Sequence, residues 1–464
     1  MRVVATVARV GLILAIDCGT TNLKTALFDP ALRRVAAAAA PVEYRIFTSE
    51  QVECDPEKIW PTLVALIRKV CGLAGIAPAN IQTIVLGSQA QTFTILDPRG
   101  QPLIPFIGWP DKRPVAEARE ITAQLGADFH RHCTFAPPVP QLTLAKLVWL
   151  RRRDPALVQK PNQVMLLPTY FAWRLAGLNI TDPNLAAMGG LYSLARQTWW
   201  DDALRVAGVN TRQMSTLVDL GQAIPCRQAD RELGLSPQLR IVLAGNDQTC
   251  GAVGNGVTEN QLVLTLGTAL VVYRHAGHQP GPYHPQGGWG PFPGGGYYEL
   301  ATRDEGCSAL DWAIGQLLPG ADPDTFRARG ATAEPGAALF FPSRFGNDNA
   351  WSGSSDVAAR ARAVIEGISF SVRQLLEEGL DIPRGSVAVS ATGGGSRSHG
   401  WLQLLADILN CRVQQGAGDA LLGAARIATG RAGDSSAAGS GQSFTPDAAA
   451  AARYEQVFTR WRNV

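Results

Sequence analysis

Apolar runs and short polar turns alternate along this chain in a pattern that occurs twice. Residues 11–16 and 23–28 are apolar and flank Gly19-Thr20-Thr21-Asn22, which predicts a β-hairpin. Helical periodicity follows over 56–75, opened by Asp55-Pro56 as N-cap and first helical residue, with Ile59, Leu63, Leu66 and Ile67 on the buried face. Strands are expected over 81–86 and 92–96, then a turn at Asp97-Pro98-Arg99-Gly100. Between those strands Ser88-Gln89-Ala90-Gln91 breaks an otherwise buried pattern with polar side chains. The middle, 114–240, is richer in helix signals.

The opening pattern then returns. An apolar run over 241–244 leads into Gly245-Asn246-Asp247-Gln248, and 262–273 reads as a second hairpin turning at Gly267-Thr268. The Gly/Pro-rich span 279–296 reads as an ordered loop, 357–379 as a long helix, 386–390 as a strand, and 398–409 as a helix behind the turn Gly393-Gly394-Gly395. Strands interleaved with helices predict a layered α/β fold. One apolar hairpin near the start of each half predicts two domains of similar topology, 1–255 and 256–464, duplicated in architecture and not in sequence.

Composition narrows the class. With 464 residues, 46% hydrophobic and 17% charged, the chain is too long for one ordinary core and too apolar for disorder. A net charge of +3 gives no basis for nucleic-acid binding or a polybasic anchor, and no apolar run is long enough to span a membrane. The eight cysteines are scattered without a C-x-x-C pair, which fits reduced thiols in a cytoplasmic protein. His130, His132 and Cys133 are the nearest approach to a metal cluster, and a surface loop is the expected reading of them.

Four segments carry candidate chemistry. Asp17 ends a strand just before a Gly/Thr turn, a combination suited to a phosphate and an associated metal, although a plain hairpin turn with a surface carboxylate has the same look. Gly267-Thr268 repeats that turn. Gly393-Gly394-Gly395-Ser396 follows a strand and opens a helix, offering bare backbone to a purine face or a phosphate. Asp247 follows an apolar strand and precedes a small-residue helix, where a structural N-cap is the alternative. Neither G-x-G-x-x-G nor G-x-x-x-x-G-K-[ST] is present, which excludes the dinucleotide and P-loop fingerprints.

In this order, AIDCGTTNLKTALFD, AGNDQTCGAVG, LTLGTA and ATGGGSRSHGWLQLLADILNCRV resemble the phosphate, catalytic-aspartate, second phosphate and adenosine motifs of the FGGY carbohydrate kinases. Trp109-Pro110-Asp111-Lys112-Arg113 is similar to that family's W-x-D-x-R, and Thr143, Lys146, Leu147, Trp149 and Leu150 to part of its first signature. The resemblance implies two RNase-H-like, actin-like ATPase domains with ATP and substrate in a cleft between them. It implies Asp247 as general base and Asp17 as the water-mediated Mg²⁺ ligand. Gly19, Thr20, Thr21, Asn22, Lys24, Gly267 and Thr268 would hold phosphates, and Gly393, Gly394, Gly395 and Ser396 the adenosine. Gln89, Ala90, Gln91, Trp109 and Asp111 would face a small sugar or polyol. Two departures stand out: Pro110 inside the tryptophan motif, and a shortened loop ahead of the helix at 357–379.

Glycerol kinases resemble one another in an Arg-Glu pair, and xylulose kinases in a Met-His pair, where this chain has Ala90-Gln91. The short Ala leaves room, and Gln91 can donate and accept hydrogen bonds, which favours a ketopentose or a four-to-five-carbon polyol over glycerol. A non-catalytic regulator on the same scaffold would have no need of Asp17, Asp247 and Thr268 together. An actin-like chaperone would lack the tryptophan motif. The oligomeric state stays open, a homodimer among the options.

Overall fold

The first hairpin forms where the apolar pattern puts it. In the computed structural model, which describes residues 11–159, 161–278, 287–434 and 441–464, Leu12–Cys18 and Asn22–Phe28 pair antiparallel. Arg34–Pro41 adds to their edge. On the other side Ile81–Ser88 and Arg240–Asn246 run parallel to the first strand, and Ile224–Pro225 closes the sheet antiparallel. Leu12–Cys18 is buried along its whole length, as a central strand covered on both faces requires. Helix Pro56–Ala74 helps cover it, capped by the Asp55 side chain accepting from the Glu57 amide and ended by Gly75 at φ 67°. Ile59, Leu63, Leu66 and Ile67 are all buried, as the periodicity requires. Each such side chain removed from water contributes about 1.5–3 kcal/mol.

The second hairpin nucleates the same layout again. Gln261–Leu266 and Leu270–His275 pair antiparallel, Tyr297–Arg303 adds to their edge, Ala388–Thr392 and Val413–Gln415 follow in parallel, and Ser443–Phe444 closes antiparallel. Reading outward from each first strand, six strands of each sheet follow the same sequence of parallel and antiparallel neighbours. The helix behind the glycine turn, His399–Leu409, is capped by Ser398, whose hydroxyl accepts from the Trp401 amide.

Several expectations shift. The strand expected at 386–390 runs from Ala388 to Thr392, because Pro383–Ser386 is a turn held by the Ser386 amide on the Pro383 carbonyl. Helix Val357–Gln374 continues as a π-turn over Leu375–Gly379. Within the expected loop 279–296, residues 279–286 lie outside the described chain, and Gly287–Pro291 is a strand. Residues 92–96 do not continue the sheet of Ile81–Ser88: Phe93–Leu96 belongs to a separate five-stranded sheet with Tyr44–Phe47, Val52–Cys54, Phe106–Ile107 and Gln163–Leu166. Nor are His130, His132 and Cys133 a surface loop. Buried Phe129 draws them inward on the short helix Phe129–His132, His132 stacks on Trp200 at 4.2 Å, and Cys133 is buried. No metal-binding group of three side chains occurs among the described residues, and all eight cysteines are free thiols.

The chain divides into two compact units between Gly254 and Asn255, and two later segments, 289–297 and 419–434, return to the first unit. Trp289 donates its indole N–H to the His130 carbonyl at 3.0 Å. Helix Ala420–Ala428 lies against helix Asp247–Gly254 so closely that a Cβ on Gly423 would come within 1.8 Å of the Cys250 carbonyl oxygen. Buried Arg426 donates to the carbonyls of Val253 and Gly254 at 2.8 and 3.2 Å, satisfying the C-terminal end of that helix. Gly423→Ala is therefore expected to lower stability by about 3 kcal/mol or more and the thermal midpoint by about 6 °C or more. Gly400→Ala, with nothing within 4 Å of the new methyl, serves as the control and is expected to leave the midpoint nearly unchanged.

Candidate active site

Three parallel strands of the first unit end side by side, and their registers set Asp17 opposite Gly87 and both Cys18 and Asn246 opposite Ser88. The turn 19–22, the segment 89–92 and the residue pair 246–247 thus leave one edge of one sheet, the edge at which open α/β sheets bind ligands. Gly87 lets them approach, since a Cβ there would lie 2.7 Å from the Cys250 sulfur.

Asp17 is 5% exposed and pairs with Lys24 at 3.1 Å through Oδ2, while its buried Oδ1 has no hydrogen-bond partner among the described residues. Burial raises its pKa, and Lys24 opposes the rise. Asp247 opens the helix Asp247–Gly254 and is half-buried. It is not the helix cap: Asn246 Oδ1 accepts from the Thr249 amide at 2.9 Å, and the Asp247 carboxylate takes the Gln248 amide at 2.9 Å. Although the residue keeps some solvent contact, protein surrounds its carboxyl closely enough that desolvation, with the negative charge of Asp17 adding to it, pushes the pKa up to about 7. A carboxylate poised there exchanges protons at neutral pH, as a general base requires.

The interrupting segment at 88–92 has a structural cause. At Gln89 the chain leaves one sheet for another, and the Gln89 amide still bonds the Cys18 carbonyl at 3.0 Å. Gln89 Oε1 accepts from the Thr20 hydroxyl at 3.2 Å, and that hydroxyl accepts the Trp109 indole N–H at 2.8 Å. Gln91 sits at φ 64° with the Thr92 amide on the Ala90 carbonyl at 2.8 Å, the rarer and more strained form of γ-turn. Its side-chain nitrogen donates to the Met188 carbonyl at 2.8 Å, so one donor expected to face a sugar is engaged by backbone. Ala90 packs with Leu185 and Met188, beside Phe135 and Leu166.

Asp111 departs further from expectation. At 1% exposed it faces the interior, accepting the Val52 amide at 3.0 Å and pairing with Arg113, which also reaches Glu53 at 2.9 Å. Fully buried Lys146 donates to the Gly108 carbonyl at 2.7 Å and the Trp109 carbonyl at 3.3 Å; desolvation pushes its pKa down to about 7 against the pull of Asp111. Together these groups fix a loop that leaves Trp109 39% exposed above Thr20. Proline at position 110 is accommodated without loss of that anchoring.

In the second unit, Gly267-Thr268 and Gly393-Gly394 leave adjacent parallel strands whose registers match Thr265 with Thr392. A Cβ on Gly393, at φ 88°, would stand 2.6 Å from the Leu266 carbonyl oxygen, so the two turns touch only because that residue is Gly. Thr268, Gly393 and Gly394 are exposed; Gly395 and Ser396 are buried, and Ser396 donates its hydroxyl to the Gly393 carbonyl at 2.8 Å. Sequence reasoning passed over two groups in the first unit. Asn184, fully buried, bonds Asn246, and Asp182 before it has one buried oxygen unpartnered among the described residues and a pKa pushed by burial up to about 6. The dipeptide Asp182-Pro183 announces a helix start, which it is, but gives no sign of what Asn184 touches.

The two matching sheets define the actin-like ATPase fold, and comparison with solved structures agrees: a ligand-bound xylulose kinase from Lactobacillus acidophilus superposes with a TM-score of 0.88 at 22% identity, covering 98% of this chain and 97% of that one. Residues 12–254 match the model of the N-terminal domain of the FGGY family of carbohydrate kinases, and residues 262–431 that of its C-terminal domain. This chain belongs to that family and is an ATP-dependent sugar kinase. It is 24% identical to the xylulose kinase of Bacillus subtilis (strain 168) over 86% of this chain and 84% of that protein. It is also 24% identical to a gluconokinase of the same organism over 86% and 83%. No helix among the described residues is long and apolar enough to cross a membrane.

Replacing Lys146 by Met keeps the apolar stem but leaves the Gly108 and Trp109 carbonyls unpaired. Peptides covering residues 106–113 are then expected to exchange amide hydrogens roughly tenfold faster than in the parent, with the hairpin 12–28 unchanged, by hydrogen-exchange mass spectrometry.

Proposed function

We propose that the chain transfers the γ-phosphate of ATP to a hydroxyl of a ketopentose of the xylulose or ribulose type, or of a four-to-five-carbon polyol. The observation that carries the reading is the Asp247 carboxyl, released from capping by Asn246 and raised to about 7 beside Asp17. In this reading Asp247 orients the attacking hydroxyl and takes its proton as the bond to phosphorus forms.

Asp17 fits a Mg²⁺ ligand acting through water: it is an oxygen donor with one buried lone-pair-bearing atom that no group among the described residues satisfies. When bound, that ion neutralises charge on the phosphates. Exposed Thr21 with Gly19, Thr20 and Asn22, and exposed Thr268 with Gly267, offer hydroxyls and backbone to phosphate oxygens. Lys24 holds Asp17 in place and lends positive charge beside it. Gly393 and Gly394 present bare backbone to the base, while Gly395 and Ser396 shape the turn from beneath.

Gln89 and Trp109 form the polar rim on the substrate side, with Ala90 and its apolar neighbours as the wall and Gln91 as the strained corner. Asp111 acts by positioning Trp109. No cation projects from positions 90–91, so the substrate is a neutral polyhydroxy chain larger than glycerol, in keeping with the xylulose kinases among the relatives. An ATP-consumption panel over D-xylulose, D-ribulose, tetritols, pentitols, gluconate and glycerol is expected to give the highest kcat/KM for a ketopentose or a four-to-five-carbon polyol; glycerol or gluconate in first place refutes that assignment. Asp247→Asn is expected to lower kcat on the best substrate about a hundredfold or more.

A further inference from the structure

The strand Arg240–Asn246 does not run evenly to its end. Leu243 lies opposite Leu86 and Asn246 opposite Ser88, so one extra residue is accommodated between them, a bulge of a kind rare in parallel sheets. Gly245 occupies it at φ 78°. A Cβ there would meet Asn184 Oδ1 at 2.7 Å, so the bulge is shaped against Asn184 itself.

Asn184 belongs to the helix Pro183–Ala187 and is fully buried. Its Oδ1 accepts two bonds from Asn246, the backbone N–H at 2.9 Å and the side-chain Nδ2 at 2.6 Å. Its own Nδ2 donates twice, to Thr249 Oγ1 at 3.0 Å and to the Pro291 carbonyl at 2.8 Å. Two lone pairs and two hydrogens are all that a primary amide has, so every one is spent on the residues flanking Asp247 and on the segment packed over them. Asn246 then passes the constraint on by accepting the Thr249 amide at 2.9 Å. Buried amides of this kind rigidify when fully satisfied and leave costly orphans when one member is removed.

We propose that Asn184 is a positioning residue that aims the Asp247 carboxylate, acting through Asn246 and Thr249 by pinning the Gly245 bulge. This rests on the reading of Asp247 as the base. Asn184 touches neither substrate nor nucleotide in this scheme, so its loss is felt in the chemical step and not in binding. Displacement of a catalytic group by a fraction of an ångström to one ångström is enough to cost one to two powers of ten in rate.

Asn184→Ala and Asp247→Asn are measured side by side with ATP and the best sugar of the panel. The expected result for Asn184→Ala is a kcat lowered about ten- to a hundredfold with KM for sugar and for ATP each within about twofold of the parent. A parental kcat overturns the proposal, and so does a fall in kcat matched by an equal rise in both KM values, which marks general damage. Should Asn184→Ala fail to fold, Thr249→Val decides: it keeps the side chain's shape and removes the hydroxyl to which Asn184 donates at 3.0 Å, and a kcat lowered about threefold or more at unchanged KM supports the proposal whereas a parental kcat overturns it. Parental activity in Asp247→Asn would sink the base reading and this inference with it, while an inactive Asp247→Asn beside a fully active Asn184→Ala would sink this inference alone.

Discussion

The turn from strand to helix at Gly245-Asn246-Asp247 is the constraint on which the first unit's site depends. An even parallel strand would alternate its side chains up and down through the sheet, and Asp247 would follow that alternation. One extra residue breaks the alternation, and a left-handed glycine makes the break possible. Asn246 then takes the capping duty, which leaves the Asp247 carboxylate to bond the next amide along. From there electrostatics follow: a second carboxylate two strands away on the same sheet edge, protein packed closely around both, and one lysine offsetting part of the charge.

Close packing of helices behind the strands keeps this arrangement rigid. Gly254 and Gly423 permit backbone contact between helix Asp247–Gly254 and helix Ala420–Ala428, and Arg426 seals the carbonyl end of the former. Asp419 caps the latter helix through the Leu422 amide and pairs with Arg34 at 2.6 Å. A chain segment more than 160 residues away in sequence from Gly254 is thus part of the support for the residue that opens the helix Asp247–Gly254.

Much of this was legible in the sequence, and the limits have physical reasons. Hairpins at 12–28 and 261–275, the helix after Asp55-Pro56 and the glycine turn at 393–395 were readable because apolar period and turn chemistry are local. The ordered motifs carried the family. What local pattern could not carry was the partner of each polar group. Asp111 sits in a motif that suggests a substrate ligand, yet Val52, Arg113 and Glu53, none of them neighbours along the chain except Arg113, enclose it. Asn184 looked like an ordinary first-turn residue because its four hydrogen bonds all go to residues at least 62 positions away. The odd polar stretch at 88–92 proved to be a sheet crossover, a topological fact that strand periodicity cannot express.

The pH dependence of kcat/KM for the sugar at saturating ATP tests the account most directly. Burial and Asp17 raise the Asp247 pKa, so its basic form is lost as pH falls through about 7. Activity should then decline about tenfold per pH unit below that point, and the acidic limb should be missing from whatever activity Asp247→Asn retains. A profile that stays flat from about pH 8 down to pH 5, near the ordinary carboxylate range, would contradict it.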